Sequence, residues 1–184
     1  MTSSKYEDLL ARVDVTCGEI TARRRADLEC RRGCTACCNV QLTLSPVETD
    51  SVRLALAALE PEARERVRRR ATALTAEGAP ADDDPCAMLE PDGACAIYSA
   101  RPLVCRSQGQ ALLYPKGTLP AGGVYATAKA GEITWCPLNY TAGKPNSEDV
   151  LQASLIDASL AEVNRRADAE RALERVAMVD LALG

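Results

Sequence analysis

The sequence predicts a mainly helical protein with a small irregular β part, in which helices flank a cysteine-rich, metal-bound segment containing a short hairpin. Three observations predict it. Apolar residues recur at helical spacing near both ends of the chain; the stretch from Cys86 to Trp135 is rich in Pro and Gly and poor in helix signals; and eight of the nine cysteines fall between positions 30 and 136. A length of 184 residues suits one compact domain. The expected organisation is therefore a single domain over 1–184. A cysteine core of about 30–139 sits between an N-terminal helix over 4–29 and a C-terminal helix over 147–180.

The first helix has its start at Ser4, with Glu7 three residues later as a capping box. Leu10, Val13, Cys17 and Ile20 form its apolar face, and the pattern carries past Arg23, Arg24 and Arg25 to about Glu29. Cys17 lies in that face and reads as a small core residue, since free Cys packs well in interiors. Val40 to Leu44 alternates and is β-branched, which predicts a short strand. Ser45-Pro46-Val47-Glu48 then opens a helix carrying Val52, Leu56 and Leu59 that stops near Glu60-Pro61. Another helix runs from Pro61 to about Glu77 and ends at Gly78. Its arginines (Arg64, Arg66, Arg68, Arg69 and Arg70) are interleaved with Glu62 and Glu65 and lack aromatic neighbours, which describes a solvated face better than a nucleic-acid patch. Asp82-Asp83-Asp84 has no calcium-loop spacing and reads as a turn. Glu90-Pro91-Asp92-Gly93 is a tight turn that folds Met88-Leu89 back on Ala96-Ile97-Tyr98. From Ser147 the helix pattern returns through Leu151, Leu155, Leu160, Val163, Leu173, Val176 and Val179.

Composition removes large parts of enzymology. Apolar residues at 47% and charged residues at 26% describe a globular chain rather than a disordered one. With no histidine there is no Ser-His-Asp or Cys-His catalysis, no His-ligated zinc enzyme and no c-type haem attachment. A net charge of −4 argues against a nucleic-acid-binding surface. The N-terminal residues Met1 to Asp8 hold no apolar secretory segment, and no stretch reaches the length of a membrane span. A cytoplasmic location follows as the expectation. There thiols stay reduced, and nine cysteines favour metal ligation over disulfides.

Setting Cys17 aside leaves Cys30, Cys34, Cys37, Cys38, Cys86, Cys95, Cys105 and Cys136 as candidate ligands. The first four occupy nine residues, and a Cys-x-x-Cys step such as Cys34 to Cys37 lets two sulfurs converge on one ion. Adjacent side chains in extended backbone point opposite ways, so Cys37 and Cys38 either face two centres or one of them is a supporting or redox thiol. Arg31, Arg32, Arg101 and Arg106 flank the cysteines and can offset thiolate charge. Soft sulfur donors without imidazole select zinc, iron–sulfur or copper(I) over magnesium or calcium, and the spacing matches neither standard ferredoxin pattern. Loops that cannot build a core are where a metal supplies folding energy directly.

Three runs together resemble a known family: Cys34-Thr35-Ala36-Cys37-Cys38; Pro85-Cys86-Ala87-Met88-Leu89; and Cys95-Ala96-Ile97-Tyr98-Ser99-Ala100-Arg101-Pro102-Leu103-Val104-Cys105-Arg106. They are similar to the bacterial YkgJ-type cysteine-cluster proteins, described as a zinc- or iron-chelating domain with eight cysteines. The resemblance spans roughly Cys30 to Asn139, and its eight cysteines fall on the eight candidates, with Cys136 the late one. It departs in the first step, three residues from Cys30 to Cys34 where many members have two, and in a knuckle glycine displaced to Gly33. The resemblance implies zinc or iron as cofactor, a 4Fe-4S cluster included, since a related domain in flagellin lysine methylases implies an iron–sulfur centre.

Beside that reading, Pro102 fixes the backbone before Cys105, Arg101 reaches carbonyls or thiolates of the cluster, and Tyr98 packs the hairpin against it with its hydroxyl on a partner. The expected partner is a metal ion, with no nucleic acid and no membrane. Two other functions compete: an iron–sulfur enzyme modifying a protein side chain or small molecule, and a thiol-redox sensor using Cys37-Cys38. No Gly-rich cofactor loop accompanies the enzyme reading.

Overall fold

A computed structural model describes residues 4–31, 33–118, 126–127 and 132–184. Arg32 and residues 1–3 lie outside them, as does the Ser4 side chain expected to cap the first helix. In chain order come α1 (Ser4–Arg23), β1 (Thr43–Leu44), α2 (Pro46–Ala57), α3 (Pro61–Leu74), α4 (Leu103–Ser107), β2 (Ala111–Leu113), β3 (Ala126–Thr127), β4 (Ile133–Trp135), β5 (Val150–Gln152), α5 (Ala153–Ala167), β6 (Val176–Ala177) and α6 (Met178–Leu183). Single 3-10 turns cover Tyr98–Ala100 and Ser147–Asp149. The protein is mainly α with a small β part, as the sequence predicts. No helix among the described residues is long and apolar enough to cross a membrane.

The helix starts are built as their sequences dictate. Pro46 and Pro61 each open a helix, where a missing N–H costs nothing. Ahead of α2, the Ser45 amide and hydroxyl both donate to Glu48 Oε2 (3.1 and 2.8 Å). The other Glu48 oxygen accepts the Leu103 amide at 3.1 Å, so one buried carboxylate ties α2 to the start of α4. Asn164 of α5 accepts the Val47 amide at 3.1 Å and completes the N-terminus of α2. Asp84 accepts the Ala81 amide, as the expected turn requires.

The core has three parts. The largest packs Val52 and Leu56 of α2, Val67 and Ala71 of α3, and Met178 and Leu181 of α6 around Met88 and Ile97 of the hairpin. The second sets Leu9, Val13 and Cys17 of α1 with Leu103 against α5. Cys17 is buried in this stripe, where the helical spacing puts it. The third is a small cluster of Ala111, Trp135 and Tyr140, in which the two rings meet edge to face at 6.3 Å.

Three expectations are corrected. The first helix ends at Arg23, not near Glu29. Arg23 and Arg24 turn to the buried Asp149 carboxylate at 3.0 and 2.5 Å, and the Asp27 carbonyl leaves the helix to accept the Tyr140 amide at 2.7 Å. The C-terminal segment is not one helix over 147–180. Val150–Gln152 pairs in parallel with β2, α5 stops at Ala167, and Val176–Ala177 pairs antiparallel with β1. Leu173, placed on a helical face by periodicity, is 90% exposed beyond the end of α5. Only Thr43–Leu44 of the predicted strand over 40–44 is strand, and Asn39 instead bridges to Pro85. A four-stranded sheet in the order β3-β4-β2-β5, made of strands of two or three residues, was not legible in the sequence.

Candidate metal centre

Three of the eight candidate cysteines sit in the same local structure. The Leu89 amide donates to the Cys86 carbonyl (2.9 Å), the Tyr98 amide to the Cys95 carbonyl (3.2 Å) and the Asn139 amide to the Cys136 carbonyl (2.8 Å), so each cysteine opens a tight turn. In each turn the amide two residues on, Met88, Ile97 or Leu138, bonds the cysteine's own sulfur and works against the rise that burial imposes on its thiol pKa. A main-chain N–H aimed at sulfur favours the thiolate, the form that binds metal. The shared pattern is Cys, then Ala or Pro, then a long aliphatic residue: Cys86-Ala87-Met88, Cys95-Ala96-Ile97 and Cys136-Pro137-Leu138. That repeat was in the sequence and would have found the turns.

Main-chain bonds bring the distant loops together. The Cys86 amide donates to the Cys38 carbonyl at 2.7 Å. The Ala96 amide donates to the Met88 carbonyl at 2.8 Å, and Leu89 bridges to Cys95, which makes the predicted hairpin. Its turn lies against the cysteine loop: a Cβ on Gly93 (φ +81°) would stand 3.2 Å from Gly33 Cα and from its carbonyl oxygen. Arg70 of α3 donates to the Ala87 carbonyl (2.9 Å) and, with Arg66, pairs with Glu90. Met178 Sδ of α6 lies 4.0 Å from Cys86 Sγ.

The sulfurs sort by their neighbours. Burial raises the Cys30 thiol, and Cys136, Cys34 and Cys37 raise it further. Cys136, raised first by burial, feels Cys37 and Cys34. Cys105 is pushed up to about 12 by burial and by Cys86, Cys95 and Cys37. Cys38 stands out: a hydrogen bond from Cys37 lowers its pKa against burial and against Cys86, Cys105 and Cys95. The same bond, then burial, raises Cys37. Cys37 therefore neighbours Cys30 and Cys136 and also Cys105, Cys38 neighbours the Cys86 side, and a hydrogen bond joins the two thiols. Among the described residues no three Cys, Asp or Glu side chains are already gathered as a coordination set.

The flanking arginines divide. Arg101 lowers Cys95, Cys105 and Cys37 from nearby, which fits its expected role toward thiolates. Arg106 is structural: its buried guanidinium donates to the Arg101 carbonyl (2.9 Å) and the Ser99 carbonyl and pairs with Asp14 of α1. Arg31 pairs with Glu29 and is exposed. Tyr98 does not pack the hairpin against the cluster. It is 62% exposed, with the Arg101 guanidinium 3.8 Å over its ring, because the apolar anchor of that turn is Ile97.

Sequence reasoning missed Asn139 and Gly109. Asn139 is buried; its Nδ2 donates to Cys30 Sγ (3.3 Å) and to the Gly109 carbonyl (2.7 Å), and its Oδ1 accepts the Glu29 amide (2.8 Å). Gly109 has φ +93°, and a Cβ there would stand 2.6 Å from Cys30 Sγ.

The donor chemistry fits a soft metal: eight sulfurs, three of them in turns that direct an amide to the thiolate. Comparison with curated proteins and with solved structures gives no match. A family profile matches residues 29–137, more than half of the chain, and by that match the chain belongs to the CxxCxxCC family, described as "Putative zinc- or iron-chelating domain".

Proposed function

We propose that the protein is a cytoplasmic metal-binding protein in which eight thiolates hold zinc or iron in two centres of four sulfurs. Cys30, Cys34, Cys37 and Cys136 form one group and Cys38, Cys86, Cys95 and Cys105 the other. The observation that carries the reading is the turn repeated at Cys86, Cys95 and Cys136, which sends a main-chain amide to each sulfur. The electrostatic neighbours of Cys30, Cys136 and Cys38 support the division, with Cys37 lying between the two groups. With all positions filled by sulfur, such centres are structural or electron-transferring, since catalytic zinc keeps an open position. α2, α3 and α6 pack around the hairpin, and α1 packs with Leu103 against α5, which supports reading residues 1–184 as one domain.

Two clefts lie elsewhere. One of about 360 Å³ lies beside Arg66 and Glu90, and one of about 180 Å³ between Glu48, Leu103 and Leu160. Neither is lined by a cysteine. The contact between Cys37 and Cys38 favours the thiol-redox sensor as the second reading.

Metal and sulfide analysis of protein purified without oxygen tests the proposal. Zinc without sulfide gives structural zinc centres; iron with acid-labile sulfide gives clusters. Cys34→Ser and Cys105→Ser should each lower metal content, with Cys17→Ser unchanged. Full loading of both ligand variants contradicts the ligand set, and metal-free protein with rapidly reactive thiols favours the sensor.

A further inference from the structure

We propose that Asn139 is the positioning residue of the Cys30 group, its buried carboxamide fixing the Cys30 sulfur against Cys136 by an N–H···S bond. The inference rests on the metal-binding reading above. Cys30 is held by a side chain. Glu29 to Arg31 belongs to no helix or strand, and the Asn139 side chain donates to the Cys30 sulfur at 3.3 Å.

Asn139 is built for that task. It is 1% exposed, and its donor and acceptor ends are both engaged. The acceptor takes the Glu29 amide and the donor end takes Cys30 Sγ, so one rigid planar group holds the backbone entering Cys30 and the sulfur leaving it. The Gly109 carbonyl holds the same nitrogen from the other side at 2.7 Å. Asn139 also closes the Cys136 turn with its own amide, so the residue that completes one cysteine's turn reaches across to the next sulfur. Gly109 clears the space: its missing Cβ would fall 2.6 Å from Cys30 Sγ, 3.5 Å from Asn139 Nδ2 and 3.9 Å from Cys136 Cβ. An amide donor on sulfur favours the thiolate and lowers its electron donation to a metal. Outer partners of this kind set metal affinity by about 10–100-fold.

The test uses the full chain loaded with cobalt(II), whose sulfur-to-metal charge-transfer absorption reports each thiolate centre. Asn139→Ala removes the whole carboxamide. Asn139→Asp keeps an acceptor for the Glu29 amide and turns an oxygen toward the sulfur. In either variant, one of two cobalt equivalents should leave to EDTA about 10–100-fold faster while the other is unchanged. The charge-transfer absorption of the labile equivalent should move to longer wavelength, a change that a merely structural role would not produce. Both effects should vanish in a Cys30→Ser background. Unchanged release and absorption, or equal effects with Cys30 absent, overturns the assignment. Should both variants fail to fold, wild-type protein loaded with NMR-active cadmium decides: coupling between the Asn139 side-chain amide and the metal supports the bond, and its absence overturns it. Wild-type protein that takes up no cobalt overturns the metal-binding reading along with it, whereas two equivalents insensitive to Asn139 overturn this inference alone.

Discussion

The turn at Cys86 and the turn at Cys136 have the same backbone plan and opposite surroundings. In the first, Met88 is wholly buried among α2, α3 and α6. In the second, the matching residue Leu138 is 45% exposed, and a polar side chain, Asn139, does the holding. One sulfur group hangs from an apolar core; the other is pinned by hydrogen bonds and a bare glycine. The fixed part of a thiolate site is the amide at the sulfur, and the means of fixing that amide is free to vary.

The comparison can be broken at several points. Chelating the metal should have the largest effect. A structural zinc site is worth on the order of 10 kcal/mol of apparent folding free energy, so the melting temperature should fall by roughly 20–40 °C, measured by circular dichroism with and without chelator. An unchanged melting curve would show that neither group needs its ion.

Met88→Ala comes next. Truncating a fully buried Met costs about 2–5 kcal/mol, read by urea denaturation of the metal-loaded protein. A loss below about 1 kcal/mol would mean the hairpin is not hung from the core.

Asp149→Asn probes the frame behind the other group, where Arg23 and Arg24 join the end of α1 to β5. The expected loss is about 1–3 kcal/mol at neutral pH. Burial alone would raise the Asp149 carboxyl, and the hydrogen bonds from Arg24 and Arg23 overcome it and hold it below the ordinary range. The stabilisation is therefore complete above the unfolded carboxyl's pKa of about 3.9 and is lost as pH falls through the lower folded value. The gap between wild type and Asp149→Asn should start to narrow as pH falls below about 4 and close only below the lower folded value. A gap that persists into acid would assign the effect to packing.

Leu138→Ala is the smallest: within about 0.5 kcal/mol despite occupying the position of Met88 in its turn.

Local signals carried much of the fold. Ser45-Pro46 and Glu60-Pro61 mark two helix starts because proline and capping act within four residues. The helical spacing of apolar residues selects Val13, Cys17 and Ile20 of α1 and Val52 and Leu56 of α2, which are buried, whereas Leu10 and Leu59 are only partly so. The candidate thiols could be named from sequence, since sulfur chemistry belongs to the residue type, and the adjacency of Cys37 and Cys38 already posed the question of two centres. What stayed hidden depends on distant partners. Val150 to Gln152 is strand because β2 offers it an edge, and α1 stops where it does because Arg23 and Arg24 have Asp149 to reach. The middle third was expected to lack an interior of its own. Ala87, Met88, Ile97 and Leu103 are nevertheless buried, because both ends of the chain supply the other walls. Asn139 is an ordinary residue in sequence and acquires its place from Cys30, 109 positions away.

The empty space at Gly109 has a consequence for genetics. A saturation screen scored by retained metal would rank this glycine with the cysteines, although it has no side chain to offer any ion. Every replacement carbon would collide with a sulfur in a backbone conformation that other residues resist. Intolerance to substitution in this protein would then overcount the ligands by at least one, and the surplus would point to where the coordination sphere touches the wall.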